Sequence, residues 1–383
     1  MYYKDLIRKI FYPTVIVILI SCVNKHKSEK KDISKDAAKK MIATTNVLKP
    51  MIHYSDKQLE GFLDSVGHLP TQPLADKVAF GADSLFKSPP QLYTLISAPD
   101  IKILKNAIHS GVIAAETARR IFNNNQISDS CNTKSIFTTY KVGFIPVVYY
   151  PFNLKNGEYG ICIGDPDHCR NPYLYFFKGN RIVAKHDFYQ RHSEKLRWFK
   201  DADGKTVVYY GKEFDEGSGI WWFNYYFYKY DGDKVIPALN IPQNINLLQP
   251  SPWGLRELWL ECIIKKTNPL TIKIVYHQQL PDTTKFDNFT TDPILSPMIV
   301  NDSTLVKYLW NEQTKTFDGQ YSPSKITQSQ ILSYYLTNNE LLFINVYYNN
   351  LKTLFNNKKK KIWVINYLNK IKNQEAGNKT EEE

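Results

Sequence analysis

"YLYFFKGNRIVAKHDF", residues 173–188, decides the kind of fold. Tyr173 to Lys178 and Arg181 to Phe188 are runs rich in aromatic and β-branched residues, and only Gly179-Asn180 separates them. Two such runs across a two-residue Gly-Asn turn form a β-hairpin. The motif recurs down the chain. Leu196 to Lys200 faces Thr206 to Tyr210 across Asp203-Gly204, and the aromatic run Trp221 to Tyr230 ends at the turn Asp231-Gly232. Arg256 to Lys266 pairs with Leu270 to His277 across Thr267-Asn268-Pro269, and Leu305 to Trp310 faces Thr316 to Tyr321. Consecutive strands with tight turns pair with each other, so residues 131–322 predict a large antiparallel β-sheet body of roughly twelve strands in up-and-down order. Its form is a barrel, a half-barrel or a sandwich, because three blades are too few for a propeller.

On either side the hydrophobic period changes from two to that of a helix. Residues 33–130 read as a helical region of short helices. "SDKQLEGFLDSV" sets Leu59, Phe62, Leu63 and Val66 on one face behind a Ser55 N-cap. "SAPDIKILKNAI" opens on Ser97, Pro99 and Asp100 and carries Ile101, Leu104 and Ile108, and "VIAAETARRIF" continues the helical pattern after Gly111. Helices return over residues 323–372, one starting near Thr327 and another carrying the stripe Ile344, Tyr347, Tyr348, Leu351 and Phe355. Residues 373–383 are polar and read as a disordered tail. The fold class is α+β: a short N-terminal helical region, the β body and C-terminal helices.

Composition agrees. Of 383 residues, 43% are hydrophobic, enough for a sizeable core, and 26 Tyr with 20 Phe favour strands. The net charge of +12 raises the question of nucleic acid. Much of the excess lies in two runs, Lys25 to Lys40 and Lys358 to Lys361, which read as solvated charge, and no RRM, KH or zinc-finger pattern accompanies them. Nucleic acid is therefore not an expected partner.

The N-terminus supplies an address. Lys4, Arg8 and Lys9 precede an apolar run that reaches Ile20, a basic and then greasy order too short to span a bilayer as a helix. It ends in Leu19-Ile20-Ser21-Cys22, with the small residue Ser21 ahead of the cysteine. This stretch resembles the lipobox of bacterial lipoproteins. The resemblance covers residues 1–22 alone and implies removal of residues 1–21 as a signal peptide, with Cys22 joined to diacylglycerol and acylated on its new amino group. Two or more acyl chains hold a protein on a bilayer where one does not. Residues 22–32 then form a lysine-rich lipidated tether, and the membrane is the first expected partner. The abundance of Tyr, Asn, Lys and Ile resembles envelope proteins of Bacteroidota-like bacteria. Val23 after the cysteine, read by the enterobacterial sorting pattern, points to the outer membrane of the cell envelope.

Candidate chemistry is sparse. "DEGSGIWWFNYYFYKY", residues 215–230, places aromatics on both strand faces. Trp221, Trp222, Tyr226 and Tyr228 are the candidate ligand contacts, since indole and phenol faces stack on sugar or lipid C–H surfaces while their polar tips bond outward. The other reading is that protein covers both faces. Glu213, Asp215 and Glu216 lie next to this strand, with Glu257 and Glu261 on a later one. A glycan hydrolase needs two carboxylates about 5–9.5 Å apart, so these acids define an enzymatic alternative. In "CIGDPDHC", residues 162–169, Asp165, Asp167 and His168 match no closed metal-site spacing, and the segment reads as a disulfide-pinned turn. One bridge is expected among Cys131, Cys162 and Cys169, with Cys262 a buried apolar-like thiol. His186 and His192 lie in "KHDFYQRH" without HExxH, GxSxG or a phosphate loop. No catalytic residue, cofactor or metal is assigned. The expectation is an envelope lipoprotein that binds a glycan, lipid or envelope protein without catalysis; the alternative is an envelope hydrolase acting on glycans.

The lipobox reading predicts that Cys22→Ala abolishes metabolic labelling by an alkyne fatty acid and releases the protein from the membrane fraction. Labelling that persists in this variant contradicts it.

Overall fold

The hairpins of the sequence assemble into two antiparallel sheets. The computed structural model describes residues 51–70, 91–128, 143–166, 169, 171–189, 195–217, 220–247, 257–280, 297–321 and 340–380. Its strands are β1 (Gln91–Leu95), β2 (Val112–Ala114), β3 (Phe144–Asn153), β4 (Glu158–Ile163), β5 (Tyr173–Lys178), β6 (Arg181–Asp187), β7 (Arg197–Lys200), β8 (Thr206–Gly217), β9 (Ile220–Asp231), β10 (Lys234–Leu247), β11 (Glu257–Thr267), β12 (Leu270–Gln279), β13 (Met298–Asn311) and β14 (Thr316–Gln320). The helices are α1 (Asp56–Gly67), α2 (Ala98–Ser110), α3 (Ala115–Phe122), α4 (Glu340–Val346), α5 (Tyr348–Phe355) and α6 (Lys361–Thr380). One sheet has six strands in the order β1-β6-β5-β4-β3-β2; the other is an eight-stranded meander from β7 to β14. Both are open, so of the three expected forms the closed barrel is ruled out, and every turn quoted above joins neighbouring strands.

Three cores define four layers within the compact unit Ile52–Glu383. On the outer face of the six-stranded sheet, Ile161, Tyr175 and Phe177 pack with Leu104 of α2 and Ala118, Ile121 and Phe122 of α3. On its other face, Cys162, Leu174 and Phe176 meet Val208, Tyr210, Tyr228 and Tyr230 of the larger sheet. The opposite side of the larger sheet presents Val207, Tyr209, Tyr225 and Phe227, with Ile272, Ile274 and Tyr276 further along, to α1 and the C-terminal helices. The alternation of β5 and β8 between two cores is the period-two pattern of strands covered on both faces. Polar links fasten the two sheets as well. Thr206 Oγ1 donates to Glu158 Oε2 at 2.6 Å, and Tyr230 OH donates to the Phe177 carbonyl at 3.1 Å.

Helix α1 starts where its cap requires. Ser55 Oγ accepts from the Gln58 amide while the Gln58 side chain accepts from the Ser55 amide, a capping box, and Leu59, Leu63 and Val66 are buried. Ser97 caps α2 with its Oγ, which accepts from the Asp100 amide and donates to the Asp100 carboxylate. At the other end of α1, a Cβ on Gly67 would fall 2.2 Å from the Tyr348 ring, so glycine lets α5 approach. Asp64 accepts from Lys352 Nζ at 2.7 Å and Tyr348 OH at 2.8 Å, tying α1 to α5.

Three sequence expectations are corrected. Val112–Ala114 is strand β2, not helix, because its amides pair with β3 before α3 begins. The stripe from Ile344 to Phe355 is broken at Tyr347 into α4 and α5. The polar tail is helical to Thr380, where Asn373 exchanges hydrogen bonds with the Ile52 backbone. Residues 1–50, the helix expected near Thr327, Cys131, Asp167, His168 and His192 lie outside the described residues.

The larger sheet curls. Lys229 Nζ of β9 stands 3.8 Å over the Trp310 ring of β13, four strands along the ladder, and Lys315 reaches Asp231 at 3.1 Å. Lys229 has no exposed surface; its ammonium donates to Asp203 at 2.8 Å and to Asp201. Burial raises the pKa of Asp201. Burial also opposes ionisation of Asp203, but its hydrogen bonds with Asp201, Lys229 and the Lys205 amide outweigh that and hold it below the usual carboxylate range. Removing one partner from such a cluster leaves uncompensated buried charge, at a cost of about 3–5 kcal/mol. Lys229→Met is expected to lower the unfolding free energy by about that much in a denaturant titration at neutral pH. The deficit narrows in acid, where the stranded carboxylates protonate.

Candidate functional site

The aromatic strand divides its candidates between cores. Trp222 and Tyr228 are each 5% exposed and belong to the helix-side and inter-sheet cores respectively, whereas Trp221 and Tyr226 are half-buried. Strict alternation fails around Phe223 and Asn224. Both neighbouring strands carry a bulge there, between Glu213 and Asp215 on β8 and between Pro242 and Asn244 on β10. Trp222 Nε1 donates to Asn224 Oδ1 at 2.9 Å, so its polar tip is spent inside the protein.

Trp221 is better placed. In register across the sheet it sits opposite Asn246, which pairs with Trp259, which pairs with His277, which pairs with Asn301. Directly paired residues point to the same face. Trp221, Asn246, Trp259, His277 and Asn301 therefore form one cross-strand row, half-buried at its first four positions and exposed at the fifth. The Trp259 and His277 rings stack, with centroids 5.1 Å apart and planes 20° from parallel. Partial burial lowers the His277 pKa, which favours the uncharged ring. The row lies on the face turned away from the C-terminal helices, where Asn301, Ser303, Leu305, Lys307 and Leu309 of β13 are all exposed. Sequence reasoning missed Asn246, Trp259, His277 and Asn301. The signal was present, since Trp259 lies at alternate spacing between Glu257 and Glu261, the acids already noted on this strand.

Beside the row the sheet opens. Strand β10 pairs with β9 from Lys234 to Leu247, but with β11 only from Asn244 to Leu247. Two prolines, Pro237 and Pro242, and two bulges precede that point, and a strand lacking ladder donors pairs poorly. The gap is a cleft of about 460 Å³ that cuts between the two faces of the sheet: Tyr209, Tyr225 and Cys262 of the helix-side core line it together with Asn244 and Glu261 of the row's face, with Gln243 on one side and Ile263 to Thr267 on the other. Gln243 Oε1 and Asn244 Oδ1 are buried without a protein donor, as is Asn240 Oδ1 further along β10.

The acids do not converge. Glu213 pairs with Phe223, Phe223 with Asn244 and Asn244 with Glu261, which puts three strand spacings, about 14 Å, between the two glutamates. That exceeds the separation a glycosidase pair requires. Asp215 and Glu216 pair with Trp222 and Trp221. Cys169 is disulfide-bonded, whereas Cys162 and Cys262 are buried thiols, and burial pushes the pKa of Cys262 far up. Among the described residues no group of three or more His, Cys, Asp or Glu is arranged to hold a metal ion, and no helix is long and apolar enough to cross a membrane. No protein-family model matches the chain, and no curated protein does.

His186 is a core histidine. It is 5% exposed, lies against Phe176 and Tyr228, and has Nδ1 3.0 Å from Tyr210 OH. Burial, with the Lys212 charge adding to it, pushes its pKa down to about 3. Below pH 6.5 the unfolded chain takes up a proton here that the folded chain refuses until about pH 3. Stability from this group is therefore present above pH 6.5 and lost as pH falls, by roughly 1.4 kcal/mol per unit. Comparing denaturant midpoints of wild type and His186→Phe across that window should show a shallower acid loss in the variant. Parallel curves would contradict a neutral buried ring.

Proposed function

We propose that this chain is a lipid-anchored protein of the bacterial cell envelope, held in the outer membrane through Cys22, and that its β body is a non-catalytic module for binding glycans. The row Trp221–Asn246–Trp259–His277–Asn301 carries the reading. It combines three rings, whose faces stack on sugar C–H surfaces, with two amides, which offer a donor and an acceptor to hydroxyl pairs. Trp221 and Trp259 are two strand spacings apart, about 10 Å, which suits an oligosaccharide more than one ring. The side chains project from central strands of a sheet, so they are held without a loop having to order.

Binding is favoured over hydrolysis by the spread of acids. Among the described residues Glu261 is the carboxylate that lines the cleft, and Glu213 is too distant to complete a pair. A lipid ligand would call for an apolar groove, whereas this row and its cleft are rich in amides and charge.

The test is titration of the purified full chain with neutral and acidic oligosaccharides, following tryptophan fluorescence and checking each mixture for shortened products. Saturable change without products is expected. Trp259→Ala should weaken binding roughly tenfold, as loss of a stacking anchor does, while Trp222→Phe changes stability but not affinity. Product formation would move the protein to the hydrolases, and no saturable change with any glycan would remove the reading.

A further inference from the structure

Resting on the glycan reading, we infer that the β10–β11 cleft is an anion subsite continuous with the aromatic row, and that the ligand is a glycan chain bearing carboxylate or sulfate groups. Along β11 the side chains on the row's face run Trp259, Glu261 and Ile263 and, past the bulge between Ile264 and Lys266, reach Lys266 opposite Thr271, a strand length of about 20 Å. Asn246 and Asn244 make the same passage from row to cleft on β10. A track of that length suits an extended chain.

At the far end of the track lie Lys265 and Lys266, both exposed. Lys178, Lys205, Lys212, Lys315, Lys352 and Lys361 are each matched to a carboxylate, whereas Lys273 and Lys307 on the row's face have no ion pair among the described residues and extend the positive surface. Lys265 and Lys266 have no ion-pair partner among the described residues. Glu261 supplies one opposing charge nearer the row, so the cleft stays positive even with Arg197, also on its rim, left aside. The two buried amide oxygens at Gln243 and Asn244 lack protein donors, and sugar hydroxyls are donors. Hydroxyl recognition and anion recognition therefore meet in one place. Neutral sugar would lie on Trp221 and Trp259, and the charged substituent would reach the lysines.

The probes are a galactose oligomer, a galacturonic acid oligomer and a sulfated galactose oligomer of equal length, titrated into the full chain at low and physiological salt. An acidic oligomer is expected to bind about tenfold more tightly than the neutral one at low salt, and which of the two acids wins identifies the anion. The advantage should vanish in Lys265→Ala/Lys266→Ala and reverse in Lys265→Glu/Lys266→Glu, both surface changes that leave folding intact. Equal affinity for neutral and acidic oligomers would overturn this inference and leave the glycan reading standing. An acidic preference that survives both lysine variants would assign it to the overall charge of +12 and overturn the subsite. Binding of the acids that is insensitive to Trp259→Ala would instead overturn the glycan row, and silence from all three would overturn both.

Discussion

Over Tyr225 to Tyr230, strand β9 is covered on both faces, and the remaining architecture follows from that constraint. Tyr225 and Phe227 face the helices while Tyr228 and Tyr230 face the smaller sheet. Each such ring hides about 150–250 Å², which at roughly 25 cal/mol per Å² is several kcal/mol apiece. A two-layer protein would leave half of them in water. The chain therefore needs a covering layer on each side, supplied by the six-stranded sheet from upstream and by α4, α5 and α6 with α1 from the two ends. Polar tips within these cores are met where they fall: Tyr230 OH by the Phe177 carbonyl, and Tyr210 OH by His186.

The two covers differ in reach. The smaller sheet packs over β8, β9 and the start of β10, while the outward side is half-buried along β11 and β12 and exposed along β13. Between covered and uncovered parts lies β10, whose prolines and bulges loosen its pairing to β11. The candidate site occupies that boundary. The same bulges shift the alternation of β9, which turns Trp222 into the core and leaves Trp221 beside Phe223, with ring centroids 4.8 Å apart. The feature that opens the sheet thus also sorts the two neighbouring tryptophans into different roles.

Local rules made much of this legible. Hairpin turns such as Gly179-Asn180 and Asp231-Gly232, the caps at Ser55 and Ser97, and the buried face of α1 could all be read from short windows. Strand Val112–Ala114 could not, because three residues carry no period and pairing with β3 decides them. The split at Tyr347 and the ordered end of α6 depend on contacts with α1 and the Ile52 backbone, more than 270 residues away in sequence. The site was half legible for the same reason. Trp221 stood out by composition, but its association with Trp259 and His277 is a matter of register across four strands, and no window of sequence contains it. Glu213, Asp215 and Glu216 are neighbours on β8, and the three strand spacings that separate Glu213 from Glu261 follow from register alone.

The buried amides of β10 bear on what the loosened strand is for. An oxygen left without a donor in the interior costs about 1–3 kcal/mol, and β10 holds three of them, at Asn240, Gln243 and Asn244, where valine or isoleucine would suit a central strand better. Two prolines in the same strand add to the local expense. Such violations of strand chemistry concentrate at functional sites, because a fold built for stability alone would have removed them. The surrounding structure over-determines this one: β9 is clamped by two cores, and the Lys229 cluster fixes the β13–β14 hairpin against it. A rigid frame around a locally unsatisfied strand is the arrangement a ligand-binding surface requires. The frame supplies the order that a bound glycan would otherwise have to impose, and the unmet need for hydrogen bonds along β10 marks where that glycan would gain affinity.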